Sequence, residues 1–269
     1  EEINVQVQDL DADFSLLFIN DASTQKSINF SRKLNKINSM KVINMKYNNL
    51  SGRCIATGLQ YITKEENFDY VIVMDSDGED KPEYILDIFK KISNFPNNTI
   101  LATRFRRNEN IIYKFLYEFH KIITLVFTGN LIKFGNFVCL PKNHVNKLIS
   151  EGSLWNSFSG TITKILKDKI SIKTDRGKRY YGPSKTSYFK LIHHSFTIMS
   201  VFYKTIFLRS FIISIIYFFF IYESITLIKL IPLFLLFVFM SIILIVSRRE
   251  SLTELNSSLE RIESIEILK

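Results

Sequence analysis

The chain has 269 residues, a formal net charge of +9 and a pI near 9.4. This length allows one large domain or two small ones with a real hydrophobic core. The positive charge would suit a nucleic-acid binder, but it is unevenly spread, with six bases between residues 173 and 190 beside the single acid Asp175. Basic charge concentrated in this way also suits phosphate groups or an anionic membrane surface.

The cysteines and the N-terminus narrow the class of protein further. Cys54 and Cys139 are far apart and lack metal-ligand spacing, so we expect a reducing compartment and ordinary packing roles for both. The sequence has neither a starting Met nor a signal peptide, and we therefore expect an incomplete N-terminus.

The first two thirds of the chain alternate between strand-like and helical patterns. Apolar runs predict strands at Phe14–Ile19, Lys41–Met45, Val71–Met74 and Thr99–Thr103. Helical patterns predict helices at residues 1–9, Ser27–Leu34, Gly52–Thr63, Glu83–Ile92 and Ile111–Phe127, the last packed on the sheet. Strands that alternate with helices imply right-handed crossovers, so the pattern predicts an α/β fold with a mostly parallel sheet. The pattern then becomes irregular, with a short apolar run at Phe137–Leu140 and a helix predicted over Leu154–Leu166.

The chain becomes strongly apolar after about residue 190. Leu230–Ser247 holds 18 residues without a charge, the lower limit for a membrane-spanning helix. Ser210–Tyr222 reaches that length only if Arg209 and Glu223 lie at the membrane interfaces, where long side chains extend towards water. Basic residues flank the outer ends of this pair, so the positive-inside rule predicts a two-helix hairpin with both ends in the cytoplasm. The alternative is a buried helical hairpin in a soluble protein.

The last segment, Ser251–Lys269, is polar again. Its apolar residues Leu252, Leu255, Leu259 and Ile262 follow 3-4-3 spacing, which is typical of a short helical seam. Two heptads are too few for a coiled coil, so packing on the N-terminal domain is the favoured interpretation.

Four carboxylates follow the third predicted strand directly: Asp75, Asp77, Glu79 and Asp80. Open α/β sheets place ligands at the C-terminal ends of such strands. Asp75 and Asp77 are two residues apart, so on an extended chain they point the same way and can share Mg²⁺ or Mn²⁺, which would itself hold a diphosphate. Gly78 stands at the fourth loop position, which excludes an EF-hand, because that motif needs glycine at the sixth. A solvated turn between strand and helix is the alternative.

Four motifs occur in a fixed order along the chain. Asn20–Thr24 reads Asn-Asp-Ala-Ser-Thr, and Asn49-Leu50 leads into a helix with Gly58-Leu59. Asp75–Glu83 carries the acids and ends in Pro-Glu, and Arg179–Lys185 reads Arg-Tyr-Tyr-Gly-Pro-Ser-Lys just ahead of the membrane region. Together, from about residue 1 to 247, they resemble a family-2 glycosyltransferase of the dolichyl-phosphate mannose synthase type. The resemblance implies a GT-A domain, which is Rossmann-like, followed by the two-helix transmembrane hairpin.

The chain departs from that family at its start and in two loops. The family's first strand, which ends in Pro-x-Tyr-Asn-Glu, has no counterpart before Phe14, which favours a truncated sequence over a different fold. Asn20 replaces the usual first Asp, Ala22 replaces Gly, and the loop at Ser51-Gly52 is one residue short. These departures concern the identity of the nucleotide more than the fold.

The resemblance implies a nucleotide-diphosphate sugar as donor and a polyprenyl phosphate at the membrane surface as acceptor. Asp77, with Asp75 directly or through water, would hold a Mg²⁺ or Mn²⁺ ion that neutralises the leaving diphosphate. Asp21 would accept a hydrogen bond from the base or the ribose, with Asn49 and Arg53 also at the nucleotide.

The same resemblance places the acceptor phosphate at Arg179, Ser184 and Lys185. Arg can bind a phosphate bidentately, Lys supplies a point charge and Ser a hydroxyl donor. The alternative is a polybasic strip that merely holds anionic lipid. A second basic group consists of Arg104, Arg106, Arg107 and Lys114. These side chains either contact a phosphate of the donor or acceptor or form a solvated surface.

An acceptor phosphate is already ionised at neutral pH, so the predicted reaction requires no strong general base. The four histidines are therefore interpreted as structural or interfacial, namely His120, His144, His193 and His194. The predicted organisation is a catalytic domain (1–189), a juxtamembrane segment (190–204), a transmembrane hairpin (205–247) and a cytoplasmic tail (248–269).

These features predict a multi-pass membrane hexosyltransferase with a cytoplasmic catalytic domain and no nucleic-acid partner. One alternative is an enzyme with a polysaccharide or glycolipid acceptor, which the surroundings of Trp155 disfavour because they lack a Gln-x-x-Arg-Trp motif. A second is a non-catalytic membrane partner that keeps the fold. A third, a nucleic-acid binder, is disfavoured by the carboxylate cluster. The sugar, nucleotide, lipid length, stereochemistry and assembly into a homo-oligomer stay open.

Overall fold

The computed structural model describes residues 1–24, 34–106, 111–182 and 187–269. Its strands are β1 (Phe14–Asn20), β2 (Ile37–Met45), β3 (Tyr70–Val73), β4 (Thr99–Arg106), β5 (Phe134–Pro141), β6 (Lys169–Asp175) and β7 (Ile262–Ile267). Its α-helices are α1 (Glu2–Gln6), α2 (Ser51–Glu65), α3 (Tyr84–Asn94), α4 (Ile111–Thr128), α5 (Lys142–Ile149), α6 (Phe158–Ile165), α7 (Tyr188–Ser200), α8 (Tyr203–Ile221), α9 (Leu227–Ser247) and α10 (Leu252–Asn256). Short 3₁₀ helices cover Gly152–Trp155, Tyr222–Ser224 and Ser258–Arg261.

Most predicted elements are present, with boundaries shifted by a few residues. The four predicted strands correspond to β1–β4, and α1–α4 confirm all but one of the five predicted helices that precede residue 128. The remaining one, Ser27–Leu34, lies outside the described residues except for Leu34. The helix predicted over Leu154–Leu166 is wrong in its first four residues, because Ser157 caps α6 by accepting a hydrogen bond from the Gly160 N–H.

The strands form two sheets that mix parallel and antiparallel neighbours. In the sheet of order β1-β2-β7, β1 and β2 are parallel and β7 is antiparallel to β2. In the sheet of order β3-β5-β4-β6, β5 is antiparallel to both neighbours and β4 is parallel to β6. The predicted α/β class is confirmed, and in each sheet all described strands but one run in the same direction, although three of the five strand pairings are antiparallel. Two strands, β5 and β7, return to the sheets in the opposite direction.

The hydrophobic core covers both faces of the four-stranded sheet. On one face α2, α5 and α6 pack around Trp155 and Leu148, which are both buried. On the other face α3 packs through Ile88. A further cluster joins β1 to β3, with Phe18 and Ile72 among its members. The elements that lead into the acidic loop are therefore fixed from both sides.

The two cysteines and His144 are buried and pack within the fold, as expected for residues with structural roles. Cys54 and Cys139 are free and buried, and burial raises the pKa of the Cys139 thiol to about 12. His144 is buried with its Nδ1 atom 2.8 Å from Thr99 Oγ1, a contact between α5 and β4. Burial, followed by the charge of Lys147, lowers the pKa of His144 below its ordinary value.

We expect the free energy of unfolding to fall as the pH is lowered from 7 towards 5. The unfolded chain binds a proton at His144 near the ordinary pKa of 6.5, whereas the folded chain resists it, so this stability is complete above pH 6.5 and is lost below it. His144→Gln should remove this part of the pH dependence, measured as the thermal midpoint between pH 5 and 8. His120→Gln is the control, and an unchanged slope in His144→Gln would contradict the assignment.

In the part of the chain that the structure describes, α4 packs mainly on the C-terminal helices and not, as predicted, on the sheet. Its apolar face meets α9, where the rings of Phe127 and Phe239 have centroids 4.8 Å apart. Arg209 of α8 donates hydrogen bonds to the carbonyls of Leu125, at 3.3 Å, and Val126, at 2.8 Å. The last carbonyls of a helix lack partners within it, so Arg209 closes the end of α4.

Helices α8 and α9 are long and apolar enough to span a membrane. Their most apolar windows have mean hydropathies of 2.0 and 2.9, and the two predicted spans lie within Tyr203–Ser224 and Leu227–Asn256, the helical ranges that contain these windows. Buried residues make up only 17% and 11% of these windows, so the described structure leaves most of both helices uncovered.

The C-terminal segment folds back onto the N-terminal domain. Ser251 caps α10 by accepting a hydrogen bond from the Glu254 N–H, and the Trp155 Nε1–H donates to Glu254 Oε2 at 3.0 Å. β7 then pairs with β2 from Lys41↔Ile267 onward. The favoured interpretation of the tail is confirmed, although its apolar residues do not form one continuous helix.

Candidate active site

The acidic loop, residues 74–83, connects β3 to α3 and folds as a turn held by its own carboxylates. Asp80 Oδ2 accepts a hydrogen bond from the Asp75 N–H at 2.9 Å, and Asp77 Oδ1 accepts one from the Glu79 N–H at 3.0 Å. Asp77 therefore lies in a turn that begins after Asp75, and the two acids do not share the single extended stretch that was predicted. Burial raises the pKa of Asp75, and the neighbouring carboxylates of Asp80 and Asp77 act in the same direction.

Three arginines from two parts of the chain, β4 and the segment after β6, converge on Glu79, which is almost fully buried. Arg176 Nη2 lies 2.6 Å from both carboxylate oxygens, and Arg179 Nε lies 2.9 Å from Oε1. Arg104 Nη1 lies 3.8 Å from Oε2. Burial alone would raise the pKa of Glu79, but hydrogen bonds from Arg179 and Arg176 lower it overall, so Glu79 is ionised at neutral pH. We call Arg104, Arg176 and Arg179 the arginine cluster.

Arg179 bridges two carboxylates of the acidic loop. Its Nη2 atom lies 2.7 Å from Asp77 Oδ2, and its Nε–H donates to Glu79 Oε1. Backbone bonds support this contact, because the Tyr180 N–H donates to the Asp77 carbonyl and the Gly177 N–H to the Glu79 carbonyl, both at 2.9 Å. Residues 176–180 thus lie along the acidic loop, 100 residues away in sequence.

Two glycines allow the two segments to cross. Gly78 has φ +89°, and a Cβ there would lie 2.9 Å from the Lys178 carbonyl oxygen. A Cβ on Gly177 would lie 2.1 Å from the Gly78 carbonyl oxygen, closer than any real contact. The crossing borders a cavity of about 430 Å³ whose wall includes Lys178 and Tyr180. No larger side chain fits at either glycine without moving backbone.

Gly177→Ala is therefore expected to destabilise the fold by about 1–3 kcal/mol, because its methyl group would overlap a backbone oxygen. The measurement is the thermal unfolding midpoint of the detergent-solubilised protein. Gly135→Ala is the matched control, since a Cβ at Gly135 has no neighbour within 4 Å. Equal midpoints for the two variants would contradict this close crossing.

Asp75 and Asp77 are the residues that could hold a cation. Asp75 Oδ1 accepts a hydrogen bond from Asn136 Nδ2 at 3.1 Å, and its other oxygen accepts none from the described residues. Across the same residues, no three His, Cys, Asp or Glu side chains form a metal-binding group. Mg²⁺ commonly binds through one or two carboxylates and completes its shell with substrate phosphates and water. The donor set therefore fits a divalent cation that binds together with a diphosphate.

The predicted nucleotide-contacting residues form a second group, at the ends of β1 and β2. The carboxylate of Asp21 accepts hydrogen bonds from the Asn49 N–H at 2.6 Å and the Leu50 N–H at 3.0 Å. Asn20 turns away, and its Nδ2 donates to Asn44 Oδ1 at 2.9 Å. The structure thus joins Asp21 to the loop that opens α2, as expected for residues that act on one ligand.

Arg53, the third residue predicted at the nucleotide, lies against Trp155. Its guanidinium carbon is 5.0 Å from the ring centroid, and that of Arg261 is 4.8 Å from the same ring. Arg261 Nη1 also donates to Asn49 Oδ1 at 3.0 Å. The tail therefore contributes a side chain beside the predicted nucleotide residues.

Several predicted residues fall outside what the structure describes. Ser184, Lys185 and Arg107 are among them, as are the side chains of Arg106 and Lys114. Of the second basic group, Arg104 reaches the acidic loop, where Nη2 lies 3.1 Å from Asp80 Oδ1.

Sequence reasoning missed three contributors to this site. The sequence indicates no role for Glu79 beyond its place among the acids or for Arg176 beyond its place among the bases, and no motif contains Asn136. The one available signal was the opposition of an acid-rich and a base-rich segment, which indicates that the two attract each other but not which side chains pair.

Comparison with known proteins agrees with this geometry. The sequence pattern described as Glycosyl transferase family 2 matches residues 4–158, more than half of the chain. No curated protein matches the sequence. The matched region contains the acidic loop, Asp21 and Asn49, whereas the arginines of residues 176–179 lie beyond it. The chain therefore belongs to glycosyl transferase family 2 and is a glycosyltransferase.

Proposed function

We propose that the protein transfers a sugar from a nucleotide-diphosphate sugar to a polyprenyl phosphate at a membrane surface. The observation that supports this most directly is the contact of Arg179 with Asp77 and Glu79. Arg179 belongs to the segment that resembles a lipid-phosphate motif, and the two acids belong to the segment that resembles a diphosphate motif. Transfer between two phosphates requires these segments to meet at one point.

The donor would bind across the two groups of residues at the strand ends. Asp21 and Asn49 would contact the nucleoside. Asp75 and Asp77 would hold Mg²⁺ or Mn²⁺, which when bound supplies positive charge to the departing diphosphate. Arg104 adds fixed positive charge beside the acidic loop, held by Asp80 at 3.1 Å. Charge positioned in advance stabilises a leaving group without reorganisation during the reaction.

The acceptor phosphate would bind at Arg179, with Ser184 and Lys185 of the same segment. A phosphate oxygen forms the bond to the anomeric carbon while the bond from that carbon to the diphosphate oxygen breaks. The nucleoside diphosphate carries away the electron pair of the broken bond. The attacking oxygen is already ionised, so no side chain has to remove a proton from it, which agrees with the structural surroundings of His144.

The membrane places the acceptor beside the site. α8 and α9 would cross the bilayer, and α4 adds an exposed apolar face that includes Phe119 and Ile122. Basic residues at the outer ends of the pair, Arg209 and Arg248 among them, support a cytoplasmic catalytic domain by the positive-inside rule.

Release of nucleoside diphosphate from a panel of nucleotide sugars tests this proposal. With the full chain in detergent, one donor should release it only when a polyprenyl phosphate is present. The unphosphorylated polyprenol is the matched control, because it offers the same chain without the phosphate. Equal release with polyprenol, or release that requires a polysaccharide instead, would contradict the proposed acceptor.

A further inference from the structure

A second cluster of arginines lies away from the acidic loop, around the buried indole of Trp155. Arg53 and Arg261 lie against this ring at 5.0 Å and 4.8 Å from its centroid. Arg249 stands two residues before Ser251, whose N–H donates to the Gly152 carbonyl in the 3₁₀ helix that carries Trp155. Its charge lowers the pKa of Arg53, after the larger effect of burial, and Arg261 acts in the same direction. We call Arg53, Arg249 and Arg261 the indole cluster.

The indole cluster carries more positive charge than its partners neutralise. Among the described residues, the carboxylate that pairs with Arg261 is Glu254, whose Oε2 atom lies 2.6 Å from Arg261 Nη2. Arg249 Nη1 lies 3.0 Å from a neutral acceptor, His193 Nε2. The Nε–H of Arg53 is buried without a hydrogen-bond partner in the described structure. Three guanidinium groups beside one carboxylate favour binding of an anion.

The surrounding elements hold this excess charge in place. Arg53 is in the first turn of α2, and Arg261 ends the 3₁₀ helix before β7. The Ser251 N–H donates to the Gly152 carbonyl, which ties the segment after α9 to the 3₁₀ helix that carries Trp155. Three parts of the chain thus meet at the indole, and the arginines are not freely moving surface residues.

We propose that Arg53, Arg249 and Arg261 bind the phosphate group of an anionic membrane lipid. Arg249 is two residues beyond Ser247, the last residue of α9, so it lies where a spanning helix leaves the bilayer. Lipid phosphates occupy that level, and guanidinium groups bind them through charge-assisted hydrogen bonds. The proposal depends on insertion of α9 into the membrane and not on the transfer reaction, so either can fail without the other.

The chain contains its own reporter for this site, because Trp155 is its single tryptophan. Short-chain phosphatidylglycerol added to the full chain in neutral detergent should change the Trp155 emission in a saturable way. Phosphatidylcholine of the same chain length, whose headgroup carries no net charge, should require about tenfold more lipid. Inorganic phosphate should act more weakly still, because it is not concentrated at the micelle surface.

Variants of two adjacent arginines distinguish a specific phosphate-binding site from general attraction of the anionic lipid to positive charge. Arg249→Gln should weaken the response to phosphatidylglycerol about tenfold, and Arg249→Lys should weaken it less because it keeps the charge. Arg248→Gln is the matched control, since Arg248 is exposed and stands one residue earlier. The thermal midpoint of each variant verifies its folding.

Three results would overturn the proposal. Equal weakening in Arg248→Gln and Arg249→Gln would show attraction to net charge alone, and equal responses to the two lipids would show no preference for an anion. A response to inorganic phosphate as strong as that to phosphatidylglycerol would assign the cluster to a soluble phosphate compound.

Discussion

Asp77→Asn is expected to lower the rate of sugar transfer by about a hundred- to a thousandfold. A neutral amide is a poor ligand for a hard divalent cation, so the charge that stabilises the leaving diphosphate would be lost. Two quantities are measured. The first is kcat at saturating donor and acceptor, and the second is the affinity for Mn²⁺, which electron paramagnetic resonance reports. Both should fall together.

Two further variants separate the loss of the cation from the loss of the ion pair. Arg179→Ala also breaks the 2.7 Å contact with Asp77, but it leaves the carboxylate in place and should keep Mn²⁺ affinity. Asp87→Asn removes an exposed acid of α3 whose distance to Lys90 is 4.0 Å, and should change neither quantity. An Asp77→Asn protein that binds Mn²⁺ as tightly as the parent would rule out Asp77 as a ligand.

Arg179→Ala is expected to reduce kcat/KM for polyprenyl phosphate by about ten- to a hundredfold. A charge-assisted contact to the acceptor phosphate would be lost, whereas the affinity for nucleotide sugar should stay nearly unchanged. Lys185→Ala should act in the same direction, because the resemblance places Lys185 at the same phosphate. Steady-state kinetics in detergent with a short-chain acceptor exclude effects of membrane binding.

Lys178→Ala is the matched control for Arg179→Ala, because Lys178 is the exposed neighbour of that residue. If Arg179 only holds anionic lipid, the two variants should behave alike and added anionic lipid should change both. Unchanged acceptor kinetics in Arg179→Ala would move the acceptor phosphate to Arg104.

The secondary structure was predictable where the local pattern carries the information. Phe14–Ile19 and Val71–Met74 are apolar runs bounded by polar turns, and each forms a strand within one residue of the prediction. The direction of a strand within its sheet carries no such local pattern. β5 lies between β3 and β4 and is antiparallel to both, an arrangement that depends on contacts between residues far apart in sequence.

The tail, residues 251–269, also has a structure that local sequence patterns do not predict. The spacing of Leu252, Leu255, Leu259 and Ile262 is helical, yet α10 ends at Asn256 and the chain continues as β7. Pairing with β2 overrides the local preference, because it supplies partners for the backbone groups of both strands. The return of the tail also brings Arg261 to Asn49, a contact that no local pattern predicts.

The candidate site also has features that the sequence predicts and features that only the folded structure reveals. The acids of the loop are adjacent in sequence, so their clustering was predictable. The role of Glu79 was not, since its partners Arg176 and Arg179 are about 100 residues away and only folding brings them together. The crossing of Gly78 and Gly177 likewise depends on tertiary structure, because neither glycine stands in a pattern that indicates a close backbone contact.

The mass of the lipid product tests the central claim most directly. The full chain, a matching nucleotide sugar and polyprenyl phosphate should yield a lipid heavier than the acceptor by one dehydrated sugar unit, with a single phosphate retained. A product heavier by a sugar phosphate would show transfer of a phosphosugar and release of nucleoside monophosphate. That result, or an unmodified lipid alongside a glycosylated polysaccharide, would contradict sugar transfer to a polyprenyl phosphate.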